Sequence, residues 1–437
     1  MPIPEKQDPH FIIGAGPTGL VLALELAKHF KQEECSIKDK IHIYEKRPEQ
    51  SQENHPAVII LKNATIKKLN KIDPQIVDGL KKQCFHKKNN IRWLSLKYNK
   101  GWPSGVGFKR ESEHISVPIE VLNSVLRRVL KDKYDIEVKW GHELLKVENE
   151  NGICTAVIKN GESEEAINYS TLSLACGIGG ARKFDEEPDN NINPGIKDYL
   201  KTPSVVAGFE TNCSENLSYE VKGKKVVTTD FITIDGACVL VDTLRCVKGG
   251  KVKVAFCASL PKDWNDGEGK LQDFVKECMS QLKERYPKSL GDVKLDTVHD
   301  VKPVDAISSK AQSIVDKEKR MLVVGDAAIV TSYLLGNELN EVIKKYVDIA
   351  KKAIIEIGEF VNQADSQKEV NGALSDFSKE CKRTMFGRWN NPQYYYKGLR
   401  ATTKYPESEM QKPRCGLADV MVNSIVNIKV KLAYFLA

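Results

Sequence analysis

Near its amino terminus the chain reads Phe11-Ile12-Ile13-Gly14-Ala15-Gly16-Pro17-Thr18-Gly19-Leu20, and this stretch restricts the fold more than any other. A short apolar strand runs into glycines spaced as GxGxxG, after which Leu20, Ala23, Leu24 and Ala27 recur on one face of a helix. In that setting Gly14 makes a tight turn, Gly16 lets a pyrophosphate approach the backbone, and Gly19 lets helix and strand pack closely. The N–H groups that open the helix, at the positive end of its dipole, would face the phosphates. A second apolar strand at 41–44 ends in Glu45, a carboxylate placed to accept hydrogen bonds from both ribose hydroxyls of an adenosine. A polar insert at 31–40 stretches this spacing beyond the usual ~20 residues.

The 437 residues suffice for two or three structural units. With 41% hydrophobic and 29% charged residues, the composition is that of a soluble globular protein. Pro4, Glu5, Lys6 and Asp8 interrupt any apolar run at the start, so no secretory signal is expected and the expected location is cytoplasmic. The net charge of +7 is carried mostly by lysine without interleaved aromatics, and nucleic-acid binding is not expected. Eleven cysteines without a CxxC pair read as reduced thiols, and no metal site is expected.

Further along, 46–56 reads as a loop, and 57–72 as a helix carrying Ile60, Ala64 and Leu69, stopped by Asp73-Pro74. The stretch 99–108 reads as a glycine-rich loop holding Trp102, and 114–117 as a strand before a helix that Pro118 opens. Alternating strands at 153–158 and 166–174 flank a hairpin tip. The second runs into Cys176-Gly177, with Arg182 and Lys183 beyond as another candidate cofactor edge. Four β-branched or alternating runs between 205 and 260 predict an inserted, mostly antiparallel sheet, followed by a helix with Leu271, Phe274, Val275, Cys278 and Leu282 on one face. A buried strand at 320–324 ends in Gly325-Asp326-Ala327-Ala328, and Gly336 to Asn340 opens another helix. The apolar segment 420–437 includes Asn423, Asn427, Lys429 and Lys431, too polar for a comfortable membrane span. It reads as a packed terminal helix, with docking on a membrane surface or a partner helix as the alternative.

The order of these three signatures resembles the FAD-dependent aromatic hydroxylases of the para-hydroxybenzoate hydroxylase type, the class A flavoprotein monooxygenases, over most of residues 8–350. Their pattern GDAAHxxxPxxGxGxN is met in register by Gly325, Asp326, Ala327, Ala328, Gly336 and Asn340. The resemblance implies an α/β fold: a Rossmann-type, glutathione reductase-like FAD domain (1–200 and 316–360), a substrate-side β-sheet domain (201–315) and a helical region (361–437). It puts the FAD pyrophosphate on Gly14, Ala15, Gly16, Pro17, Thr18 and Gly19, and the adenosine on Glu45, Lys46 and Arg47. Gly177 would line the cofactor, Asp326 and Ala327 would meet the ribityl chain, and the helix from Gly336 through Asn340 would aim its N–H groups at the flavin pyrimidine. Tyr333 and Glu338 are the candidate catalytic positions beside the ring. NAD(P)H would act as a transient co-substrate, and oxygen would pass from a C4a-hydroperoxide of the flavin to a small molecule or a protein side chain.

The spacing from Glu45-Lys46-Arg47 to Val58 and from His114 to Leu122 is similar to that of MICAL-type monooxygenases, which oxidise protein methionines. Tyr333, where small-molecule hydroxylases carry proline, points the same way. Four positions depart from the family: Ile329 replaces its histidine, Glu338 its second flavin-side glycine, Pro118 an arginine and Cys176 an acid. A carboxylate at Glu338 would oppose an anionic reduced flavin. These departures motivate the alternative of an FAD-binding protein with a degenerate oxygenase site, acting as an interaction or regulatory module.

Overall fold

The computed structural model describes residues 8–31, 37–49, 58–87, 91–99, 102–111, 113–212, 227–234, 237–248, 251–261, 264, 268–330, 338–360 and 367–384. It begins with a parallel βαβ unit of β1 (His10–Ile13), α1 (Pro17–Phe30) and β2 (Ile41–Glu45). All four β1 residues are buried, as in a strand covered on both faces. Helix α1 is buried on most of its circumference, which is why Leu20 to Leu26 is nearly unbroken in apolar character.

The chain then leaves this sheet through β3 (Val58–Lys62), α2 (Asn63–Ile72), α3 (Pro74–Gln83), β4 (Phe85–Lys87), β5 (Ile91–Asn99), β6 (Trp102–Glu111) and β7 (His114–Pro118). Three expectations are corrected here. The stretch 57–72 is not one helix, because 58–62 pairs antiparallel with β7 and the helix starts only at Asn63. The stretch 99–108 is not a loop, since most of it forms β6, hydrogen-bonded to β5 as a hairpin. Pro118 ends β7 and stands as the N-cap of α4 (Ile119–Tyr134) without opening it. Leu122, Val125, Leu126 and Val129 of α4 join the main core, and the helix packs on α1.

β8 (Val138–Trp140) returns beside β2, and β9 (His142–Glu150), β10 (Ile153–Asn160) and β11 (Ser163–Asn168) form a separate antiparallel meander. The run expected as one strand at 166–174 divides between two sheets. The Ser170 N–H donates to Pro9 O (2.9 Å), which turns the chain into β12 (Thr171–Leu174), parallel to β1. Helix α5 (Gly177–Glu186) leads to β13 (Ile196–Glu210), β14 (Val227–Ile234), β15 (Ala237–Lys248) and β16 (Lys251–Ser259), then α6 (Glu268–Arg285), α7 (Pro287–Leu290) and β17 (His299–Ala311). Leu271, Phe274, Val275, Cys278 and Leu282 of α6 share a second core with Val205, Phe209, Val254 and Phe256 of the sheet.

Two short strands, β18 (Val315–Asp316) and β19 (Met321–Val323), re-enter the first sheet, and β20 (Ile329–Val330) joins the second. The first sheet thus runs β18-β19-β12-β1-β2-β8, parallel except at β18, and the second runs β14-β15-β16-β13-β17-β20. Helix α8 (Glu338–Glu341), a π turn at Val342–Tyr346, α9 (Val347–Phe360) and α10 (Gln367–Thr384) complete the described fold. No helix among the described residues is long and apolar enough to cross a membrane, and the segment 420–437 lies outside them.

Candidate cofactor site

Four turns meet at one edge of the parallel sheet, because the four strands they follow run in the same direction. They are Gly14 after β1, Glu45 to Arg47 after β2, Cys176-Gly177 after β12 and Gly325 to Ala327 after β19. Backbone bonds of 2.8 Å carry the ladder into these turns: Gly14 N–H to Tyr44 O, Ala175 N–H to Ile13 O and Val324 N–H to Leu174 O. The strand order reverses at β1, with β2 and β8 on one side and β12 and β19 on the other, so this edge is a topological switch point.

Gly14 holds φ +111, and a Cβ there would come within 2.5 Å of Ala175 O. A Cβ on Gly16 would meet nothing within 4 Å, so open space lies where the backbone turns into α1. No side chain caps that helix start, Pro17 supplies its first residue, and Thr18 is buried beneath it. Gly16 and Pro17 at this end are partly exposed, which leaves the helix start open to an anion.

Glu45 is buried and heavily engaged. Its Oε2 accepts from Ala15 N–H (3.0 Å) and Arg47 Nη2 (3.1 Å), and its Oε1 from Arg47 Nε (2.8 Å) and N–H (3.1 Å). Burial alone would raise its pKa, but the Arg47 fork and the Ala15 amide together hold it below the usual carboxylate range. The carboxylate is thus fixed in its charged form against the glycine turn. Lys46 is exposed beside it.

The two distant motifs touch. A Cβ on Gly325 would lie 2.5 Å from Thr18 Oγ1, which places the Gly325-Asp326-Ala327 turn directly against the start of α1. Ala327 is buried, whereas Asp326 between its buried neighbours Gly325 and Ala327 is exposed. Burial lifts its carboxyl from 3.8 to about 6. β20 follows at once and pairs with β17, Ser309 to Val330, so the turn sits where the two sheets join.

Other expected positions fall differently. The Asn340 side chain is engaged with residues 60–65: Oδ1 accepts from Lys62 N–H (2.8 Å) and Thr65 Oγ1 (2.7 Å), and Nδ2 donates to Ile60 O (2.7 Å). Arg182 and Lys183, further along α5 from the Cys176-Gly177 turn, are ion-paired, to Asp198 and Glu143. Gly177 opens α5 with φ +71, and beside it the Cys176 thiol is pushed up to about 12, first by burial and then by the Glu45 charge. It is a neutral thiol where the resemblance expects an acid. Tyr333, Gly336 and the Glu338 side chain lie outside the described residues.

The contact of Arg127 with Trp140 beside this edge was not expected from the sequence. The Arg127 guanidinium carbon lies 5.0 Å from the centroid of the Trp140 ring, and Trp140 is in register with Glu45 on the neighbouring strand. A basic residue on an amphipathic helix and a tryptophan in a three-residue strand offer no local motif. The one usable signal was the spacing of Glu120, Asn123 and Arg127, polar residues on a single helix face.

These residues fit FAD. The open space at Gly16 admits a pyrophosphate, Glu45 is charged beside it, and Asp326 follows the glycine that lies against Thr18. No family model and no curated protein sequence matches the chain. Solved structures do. The p-nitrophenol 4-monooxygenase PnpA from Pseudomonas putida DLL-E4 superposes with TM-score 0.60 at 14% identity, covering 97% of this chain and 93% of its own. The flavin-dependent halogenase CmlS gives TM-score 0.60 at 16% identity over 96% of this chain and 70% of its own, and the flavin-dependent brominase Bmp2 gives 0.59 at 14% over 96% and 93%. Together with the parallel sheet, its switch point and the appended antiparallel sheet, these likenesses show that the chain has the fold of the class A flavin-dependent monooxygenases and halogenases.

Proposed function

We propose that the protein is an FAD-dependent monooxygenase that uses NAD(P)H and dioxygen to oxygenate a small organic substrate. The observation that carries this reading is the contact of the Gly325 turn with Thr18 at the junction of the two sheets. A cofactor lying along the switch point then reaches from Glu45 to the antiparallel sheet. Bound FAD supplies the hydride acceptance and oxygen activation, and the chain supplies position and field. The start of α1 offsets the pyrophosphate charge, Glu45 orients the ribose, and Asp326 accepts from a sugar-alcohol hydroxyl. The sequence contains one dinucleotide fingerprint, so the nicotinamide visits without a resident site of its own.

The test is direct. Purified protein reconstituted with FAD should retain an equimolar flavin band that NADPH bleaches, with oxygen uptake raised by a substrate from a panel of phenols and related aromatics. A protein that stays colourless overturns the reading. Bleaching with no product beyond that of free flavin points instead to a flavin-binding module.

Asp326 adds a pH signature. In the unfolded chain its carboxyl ionises from 3.8, whereas in the fold it keeps its proton until about 6. The group therefore makes the fold less stable as pH rises through that interval, and the penalty is constant above it. Above about 6 it is an acceptor-only carboxylate. FAD affinity should accordingly rise as pH crosses 6, and Asp326→Asn should flatten that rise in a fluorescence titration.

A further inference from the structure

We propose that the amine of Lys139, held over Tyr44 at the last strand of the parallel sheet, is a modification site that small acyl phosphates acylate. The inference stands apart from the FAD reading, because it needs no bound cofactor.

Lys139 is the central residue of β8, which ends the first sheet, and it pairs in register with Tyr44 of β2. Paired residues of neighbouring strands share a face. The ammonium therefore lies over the Tyr44 ring, 4.9 Å from its centroid, and donates to the Tyr44 hydroxyl at 3.4 Å. That hydroxyl lies 3.3 Å from Nδ1 of half-buried His42, two residues back on the same strand. An oxygen that accepts from the lysine keeps its own proton to donate, so the three groups form a path from the amine to an imidazole. His142 of β9 flanks the Tyr44 ring at 6.0 Å, with its Nδ1 engaged by Trp140 O (2.8 Å). Glu165 of β11 is exposed, and its charge bears on both Lys139 and Tyr44.

The environment of this amine differs from that of its neighbours. Lys183 is bound to Glu143 and Lys146 to Glu148, hydrogen bonds that hold those amines above their ordinary range. Lys139 is half-buried and makes no ion pair among the described residues. Burial lowers its amine, with the Glu165 charge opposing the fall. The unprotonated form is the nucleophile, and the Tyr44 hydroxyl holds it in one place.

In the reaction the neutral nitrogen attacks the carbonyl carbon of the acyl phosphate. A C–N bond forms, the C–O bond to the phosphate breaks, and phosphate leaves with the electron pair. The surplus proton on nitrogen passes through the Tyr44 hydroxyl to His42, which returns it to solvent. No oxidant or reductant takes part. The product amide is uncharged, so the modification erases the cation that stands near Glu165.

The experiment treats the full chain with limiting acetyl phosphate at neutral pH and follows each lysine by peptide mass spectrometry, for wild type and His42→Gln. In wild type, Lys139 should be acetylated about threefold or more ahead of the exposed Lys131 and Lys159. His42→Gln still accepts a hydrogen bond but takes no proton, so Lys139 should slow several-fold while Lys131 and Lys159 keep their rates. Lys139 labelled no faster than Lys131 in wild type overturns the inference. Equal Lys139 rates in the two proteins also overturn it, because the path through Tyr44 would then carry nothing. Slowing of all three lysines alike overturns it too, since that pattern marks a change in fold.

Discussion

Gly16→Val should leave the fold standing and abolish flavin uptake. The backbone at Gly16 is extended (φ −75, ψ 175), a conformation valine adopts readily, and its Cβ would meet no protein atom within 4 Å. The fold loses only the N-cap preference, about 1 kcal/mol. The isopropyl group instead fills the space in which a pyrophosphate meets the helix start, so FAD affinity should fall by roughly a hundredfold or more. Gly19→Val gives the opposite pattern. Its Cβ would overlap the Gly14 carbonyl oxygen and crowd Ile12 and Ala175 at 3.2 and 3.3 Å, destabilising the fold itself by about 3 kcal/mol. Thermal melts and flavin absorbance after reconstitution separate the two variants. A Gly16→Val protein that remains yellow would mean that the cofactor does not cross this turn.

Arg245→Ala should destabilise the protein by about 3–5 kcal/mol without touching the cofactor site. The Arg245 side chain is 1% exposed, and its guanidinium donates to Asp292 Oδ1 (2.6 Å), to Asp292 Oδ2 (3.3 Å) and to Ser289 O. Its own carbonyl accepts from Ser116 Oγ (2.5 Å), so the residue stands where β15 meets β7. Alanine removes the guanidinium, and with it the bidentate pairing of a largely buried carboxylate. Replacing both partners, Arg245→Leu with Asp292→Leu, should recover most of the loss, since well-packed apolar pairs substitute for buried ion pairs at little cost. Urea unfolding of the single and double variants measures this. A single variant as stable as wild type would show that solvent already screens the pair.

The site was legible where its demands are local. Gly14, Gly16 and Gly19 meet three requirements of one turn within six residues, so the sequence alone carries them. The Gly325 turn was legible for the same reason, while its contact with Thr18 needed the fold. Val58-Ile59-Ile60-Leu61 is a continuous apolar run with no decisive period, and pairing with β7 makes it a strand. Gly105 and Gly107 weaken strand propensity, yet they face Lys97 and Ser95 across a hairpin. β17 was hidden because Lys302, Pro303, Asp305 and Lys310 mask its alternation, although β13 pairs along most of its length. Asn340 matched a motif, but its amide serves residues 60–65, a partner too distant in sequence for spacing to reveal.

The order in which the central sheet is filled bears on biosynthesis. β12 lies between β1 and β19, so its outer edge waits for residues 321–323 to leave the ribosome. Until then the nascent polypeptide presents open ladder groups at Leu172 to Leu174 while the antiparallel sheet is still being translated. Closure by so late a segment makes the topology slow to complete, and it gives chaperones a defined interval in which to guard one bare strand.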